Sequence, residues 1–251
     1  MKYLTTSTEY DKSVCISPKN FPYTQPICFH ILWDGELNEK VYISMKSCWY
    51  FHHSSVHTRI LWRTNSIPNE WDEKIKSYCE LKELDNDIIA HNDNNVCFHI
   101  LYKYGGIFFP PSVFFLSSIE SLLSSYSKFI MTHHTGCGKY ITKFMISMQP
   151  NDERLKKMLD AGLQSSNALT GKEIYDDLLV LPCSWFDGAS LDSKYMKKER
   201  YFELFKTLPS AFKPIKINEW FKGSITMNWH NEWETPIESN SVVEQLSSIM
   251  I

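Results

Sequence analysis

A chain of 251 residues that is 43% hydrophobic and 22% charged has the composition of one globular core, and its length fits a single domain. Its net charge of −3, with no long basic run, offers no electrostatic footprint for nucleic acid. No apolar run approaches the roughly 20 residues of a membrane span, and the polar stretch 1–19 has no apolar signal core. The seven cysteines, Cys15, Cys28, Cys48, Cys79, Cys97, Cys137 and Cys183, are scattered and never spaced CxxC, which favours free thiols in a reducing compartment over disulfides or a zinc site. Aromatic residues reach 14%, with 8 Trp, a supply that serves either core packing or a sugar or base platform.

In chain order, residues 1–25 read as a polar lead-in, with Pro22 and Pro26 near its end. Ile27–Trp33 is an unbroken apolar run, expected as a first buried strand that Asp34-Gly35 breaks. His30 lies inside that run and reads as a core histidine rather than a base. Val41, Met45, Cys48 and Trp49 mark an amphipathic helix, and Arg59–Trp62 a second strand. This alternation predicts a doubly wound α/β sheet. A helix with solvated charges is expected over 75–84.

Val96, Ile100 and Tyr104 then recur every fourth residue, one apolar helical face. Gly105 falls at the C′ position, where φ > 0 ends a helix. Ile107-Phe108-Phe109 suits a short inner strand, stopped by Pro110 and Pro111 because neither can donate to a ladder. Phe114–Tyr126 reads as a Ser-rich helix with Leu116, Ile119, Leu122 and Leu123 on its buried face. Lys128–Thr132 is strand-like. The pair His133-His134 follows, but adjacent strand residues face opposite ways, so the two do not readily share an ion. Ile141–Met148 is a further strand, and Asn151 or Asp152 caps a helix with Leu155, Met158, Leu159 and Leu163 as its stripe. A basic surface helix over 194–208 completes the elements read from the residues. Trp229 and Trp233 stand four apart near the end, and residues 234–251 read as a C-terminal tail. With no repeat or linker, residues 1–251 form one expected domain.

The stretch Leu101-Tyr102-Lys103-Tyr104-Gly105-Gly106-Ile107-Phe108 resembles the core of the DXD-containing sugar transferases. These include fungal mannosyltransferases that initiate outer-chain glycans, and the motif is similar to that of clostridial glucosylating toxins. The resemblance runs in order from about residue 27 to 233. It implies a single GT-A-like α/β domain with retaining chemistry on a UDP- or GDP-linked sugar. The acceptor, a glycan or a protein, is left open. By the family pattern Trp33 stacks on the nucleotide base and Gly35 follows it. Asn94 falls at an acidic sugar-contacting position and Cys97 at its arginine. Gly106 belongs to the core motif, Lys143 stands beside a usual asparagine, and Asn231 and Trp233 fall in a closing string whose Trp reaches the β-phosphate. The family's Thr-Gly-Pro opens a helix followed by a strand that ends near an aromatic, which implies a helix over 170–179 and a strand over 180–186 here, with Lys172 in place of the proline; Met227 stands where the family has a metal-binding histidine.

The two DXD positions are Pro110 and Ser112. Mg²⁺ and Mn²⁺ require oxygen ligands that a proline side chain lacks, so no metal cofactor is expected. Three readings follow. The first is a metal-independent transferase in which Lys103, Lys139, Lys143 or Lys172 neutralises the leaving diphosphate. The second is an inactive pseudo-glycosyltransferase acting as a binding module. The third is an unrelated α/β scaffold. Since the family's secretory members carry a membrane anchor, a cytoplasmic protein of bacterial, viral or host cytosol is expected.

Overall fold

The computed structural model of the chain describes residues 2–3, 25–89, 95–127, 130–134, 141–162, 178–181, 183–186, 204–208, 215–221, 223–229 and 232–250. Its strands are β1 (Lys2–Tyr3), β2 (Cys28–Glu36), β3 (Thr58–Ile67), β4 (Glu80–Glu83), β5 (Gly106–Phe108), β6 (Val113–Phe115), β7 (Ile130–His134), β8 (Ile141–Ser147), β9 (Leu178–Leu181) and β10 (Thr226–Asn228). One sheet runs in the order β1-β9-β7-β8-β5-β2-β3-β4. Neighbours are parallel except on either side of β8, which opposes both β5 and β7. β6 and β10 form a separate antiparallel ribbon.

The inner strands are apolar on both faces because helices cover both. Phe29, Ile31, Leu61, Ile107 and Ile146 pack under α1 (Glu39–Phe51), α2 (Glu70–Lys76) and α5 (Glu120–Tyr126). On the opposite face, Ile60, Trp62, Phe108 and Met145 pack under α3 (Asn86–Ile89), α4 (Val96–Tyr104) and α6 (Glu153–Asp160). The doubly wound α/β architecture is therefore as expected. After β9 come the short helices α7 (Cys183–Phe186) and α8 (Ile217–Trp220), and finally α9 (Val242–Ile249).

Several local expectations change in the folded chain. β2 does not stop at Asp34-Gly35; it continues to Glu36 through a bulge, which Gly35 accommodates at φ +79°. The helix expected over 75–84 lies earlier. Asn69 and Asp72 form a reciprocal capping box that starts α2 at Glu70. Residues 80–83 instead pair with β3 as a charged edge strand. Phe114 and Phe115 belong to β6, drawn out of the expected helix by pairing with β10, which lies far along the chain. The strand over 180–186 ends at Leu181, and Cys183–Phe186 is helical. The helix expected over 170–179 lies outside the described residues up to 177, and Leu178-Leu179 open β9. Of the basic helix over 194–208, residues 194–203 lie outside the described residues; Leu204–Leu208 make a turn and a bridge from Thr207 to Ser241.

Residues 234–251, expected as a tail, contain α9. The Ser241 hydroxyl caps it by accepting from the Glu244 N–H at 3.2 Å. Val242, Val243 and Leu246 share one helical face and are fully buried in a third cluster with Ile43 of α1, Phe114, Met227 and Trp229. α1 thus packs on both the sheet and the β6–β10 ribbon, which itself meets the sheet through Phe115 against Phe29.

His30 is a core histidine, as expected. Trp62 Nε1–H donates to its Nδ1 at 3.1 Å, which leaves Nε2–H to donate to the Gly105 carbonyl at 2.8 Å. Burial lowers its pKa to about 4. His52 is held in the same way: Nδ1 donates to Cys48 O at 2.9 Å, Nε2 accepts from the Ile119 N–H at 3.0 Å, and burial lowers its pKa to about 3. Each folded pKa lies below the ordinary 6.5. The unfolded chain therefore binds more protons between them, and stability falls as pH drops from 6.5 toward 4. Urea unfolding across this window is expected to take up close to two protons. A midpoint flat from pH 7 to 4 would refute the neutral buried state of both rings.

Candidate functional site

The sheet reverses direction beside β2. From β2 the chain winds outward to β3 and β4, and then returns to place β5 on the other flank of β2. The carboxyl ends of β2 and β5 therefore diverge, and open α/β sheets bind ligands at such a switch point. On one side stand Trp33, Asp34, Gly35 and Glu36. On the other, Phe109–Ser112 make a turn in which the Val113 N–H donates to Pro110 O at 3.0 Å. The Trp229 N–H donates to Ser112 O at 3.0 Å, tying this turn to the C-terminal ribbon, and Ser44 of α1 donates to Val113 O at 2.6 Å.

Two half-buried indoles meet at this edge. The Trp33 and Trp233 ring centroids are 4.8 Å apart at an interplanar angle of 65°, an edge-to-face pair. Trp33 Nε1–H donates to Glu36 O at 2.7 Å, so the bulge after Trp33 orients its own ring. Trp233 also meets the buried Trp229 at 6.1 Å. The bulge is braced from β3: the Arg63 guanidinium donates to Gly35 O at 2.7 Å and pairs with Asp72 at 2.8 Å. Asp34 Oδ1 accepts from Thr64 Oγ1 and Asn65 Nδ2, both at 2.8 Å. In the first turn of α1, the Lys40 ammonium donates to Glu232 O, and burial lowers its pKa.

Trp33, Gly35, Ser112 and Trp233 are gathered at the carboxyl edge of the sheet from three separate stretches, β2, the turn before β6 and the segment after β10. Gly106 is not with them. It stands at the amino end of β5, where a Cβ would lie 2.1 Å from Cys28 O, so its requirement for glycine comes from strand pairing. Only the backbone of Lys143 is described. Met145 pairs with Phe108 in antiparallel register, so Lys143, two residues before Met145 in β8, lies toward the carboxyl end of β5. Lys103 is at the opposite, amino end of β5. It closes α4 and is paired with Asp85 at 2.8 Å. Asn94, Asn231, Lys139 and Lys172 lie outside the described residues. Pro110 offers no side-chain ligand, and Ser112 only a neutral hydroxyl on an 8% exposed residue, so these two positions do not fit a carboxylate-held divalent ion. Sequence reasoning missed Arg63 and Lys40, since neither stands in a local motif and the Lys40 acceptor is 192 residues away.

The arrangement defines a class: an open, mostly parallel mixed sheet flanked by helices with an aromatic-lined switch point. It is a glycosyltransferase-like, GT-A-like fold. It is similar to the crystal structure of the glycosyltransferase GlyE of Streptococcus pneumoniae TIGR4, at a TM-score of 0.54 and 11% identity, over 90% of this chain. The chain spans 60% of the length of that structure. The PaToxG glycosyltransferase aligns at a TM-score of 0.38 and 13% identity over 55% of this chain and 60% of its own, too low to support an argument. No protein-family profile and no curated protein matches the sequence. Among the described residues, no helix is long and apolar enough to cross a membrane.

Proposed function

We propose that this chain binds a UDP- or GDP-linked sugar at the β2–β5 switch point and transfers the sugar to a glycan or protein acceptor without a DXD-held metal. The supporting observation is the Trp33–Trp233 contact at that edge, made by residues from opposite ends of the chain. Trp33 supplies the base platform, and Trp233 closes over the diphosphate side. In transfer, the bond from the anomeric carbon to the diphosphate breaks, negative charge grows on the leaving phosphate, and an acceptor hydroxyl oxygen bonds to that carbon on the same face while its proton passes to the departing phosphate oxygen. Lys143, at the start of β8, supplies the cation that neutralises it in place of an ion. Retention of configuration follows the family resemblance. A reducing, cytoplasmic setting is part of the same reading, in keeping with seven cysteines that are never spaced CxxC.

A thermal-shift panel tests the reading: UDP, GDP and their sugar conjugates, each with Mn²⁺ and with EDTA. Ligand at about 100 times its dissociation constant stabilises by roughly 2.7 kcal/mol. A shift with one nucleotide that EDTA leaves intact is the expected result. A shift that requires Mn²⁺ would overturn the metal-free site, and no shift with any donor would overturn donor binding.

A second reading, a pseudo-glycosyltransferase that serves as a binding module, is favoured by one specific feature: Pro110 and Ser112 stand where the chemistry needs carboxylates. Turnover separates the two. The transferase predicts EDTA-insensitive transfer that Lys143→Ala abolishes, and the pseudoenzyme predicts binding with no transfer from any donor.

A further inference from the structure

Lys40 is 5% exposed, a rare placement for a lysine. Its ammonium donates to the carbonyl of Glu232 and lies 4.0 Å from the centroid of the Phe205 ring. The position has an unusual geometry. Lys40 and Trp33 belong to one unit, since α1 follows β2 directly after Leu37 and the cap Asn38. Their partners, Glu232 and Trp233, are consecutive residues of the C-terminal segment. The same two stretches of chain are thus joined twice: once by a charged hydrogen bond and once by a ring pair 4.8 Å apart. A residue needed only for packing here would be met by leucine or methionine, with no charge to desolvate. Burying an ammonium is unfavourable unless it is paired, and here a backbone carbonyl and an aromatic face pair it.

We infer that Lys40 is a positioning residue, a latch that seats the main chain at Glu232 and thereby sets Trp233 against Trp33. The latch stands on the contacts alone; its consequence for ligand affinity rests on the proposed nucleotide site. α9 remains on α1 through Ile43 and the Lys46 hydrogen bond to Ser247 O, but without the Lys40 ammonium the main chain at Glu232 is released and Trp233 leaves the switch point.

Lys40→Met keeps the apolar stem beside Phe205 and removes the charge, while Lys40→Arg keeps a cation with donors. The nucleotide-free readout is the exciton couplet of the Trp33–Trp233 pair in far-ultraviolet circular dichroism, defined as the signal that Trp33→Phe removes. K40M is expected to lose that couplet and K40R to retain it. Isothermal titration with UDP and GDP is the second readout. K40M is expected to weaken the bound nucleotide about two- to tenfold, the worth of an aromatic contact, and to have less than a twofold effect when Trp233→Phe is already present. A folded K40M with the couplet intact overturns the latch, as does an equal loss of affinity in both backgrounds. Should K40M fail to fold, Lys40→Gln answers the same question: its reach is too short for Glu232 O, so the couplet should go, and its retention overturns the proposal. If no nucleotide binds the wild-type chain, the proposed function fails while the couplet still decides the latch.

Discussion

Replacing Gly106 with alanine is expected to destabilise the protein by about 3 kcal/mol or more, the range of severe backbone strain and overpacking. Gly106 sits at φ +104°, and an added Cβ would lie 2.1 Å from Cys28 O and 3.0 Å from its carbonyl carbon. Both atoms are backbone of β2, held in the sheet by β3 on its other side, so they cannot move aside cheaply. At about 2–4 °C per kcal/mol for a chain of this size, the melting temperature should fall by roughly 6–12 °C. Gly35→Ala is the control. Gly35 also has positive φ, +79°, but nothing lies within 4 Å of its Cβ position, so only the conformational term of about 1 kcal/mol applies. Because the β2–β5 pair carries Trp33 on one strand and leads to Ser112 from the other, Gly106→Ala should also weaken nucleotide binding. Equal melting temperatures for the two variants would show that the close approach is not real.

Trp33→Ala is expected to weaken UDP or GDP binding by roughly 5- to 150-fold, the equivalent of about 1–3 kcal/mol for a base stacked on an aromatic ring. Its effect on stability should be smaller than that of Gly106→Ala, because the ring is half-buried and its main partners are Trp233 and its own Glu36 carbonyl. Trp33→Phe keeps a flat platform but loses the donor to Glu36, and should fall between alanine and the wild type. Isothermal titration of the three proteins checks the order. Unchanged affinity in the alanine variant would remove Trp33 from the site and with it the main support for the donor-binding reading.

Much of the local structure was legible in the residues. The Val96–Ile100–Tyr104 spacing marked α4, and the helix ends where Gly105 takes φ +66°. Asp152 caps α6, with Leu155 and Met158 buried as the stripe required. His30 in an apolar run was correctly a core residue, since a strand buried on both faces leaves no room for a solvated ring. Where reading failed, a distant partner had overruled a local pattern. The apolar residues 113–115 follow no helical rule once β10 offers them hydrogen bonds, and residues 80–83 become an edge strand because β3 stands open beside them.

The site divides along the same line. The chain's own pattern determined the alternation of strands and helices, the helix stop at Gly105 and the absence of carboxylates at Pro110 and Ser112, since each depends on residues a few positions apart. Tertiary structure alone decided that Trp33 meets Trp233, that Lys40 is buried under the C-terminal segment, that Lys103 pairs with Asp85, and that Gly106 approaches the Cys28 backbone in the β2–β5 pairing. Each is a contact between stretches far apart in the chain. Local propensity acts over a turn or a strand, whereas these contacts exist only once the sheet has fixed where its two ends lie.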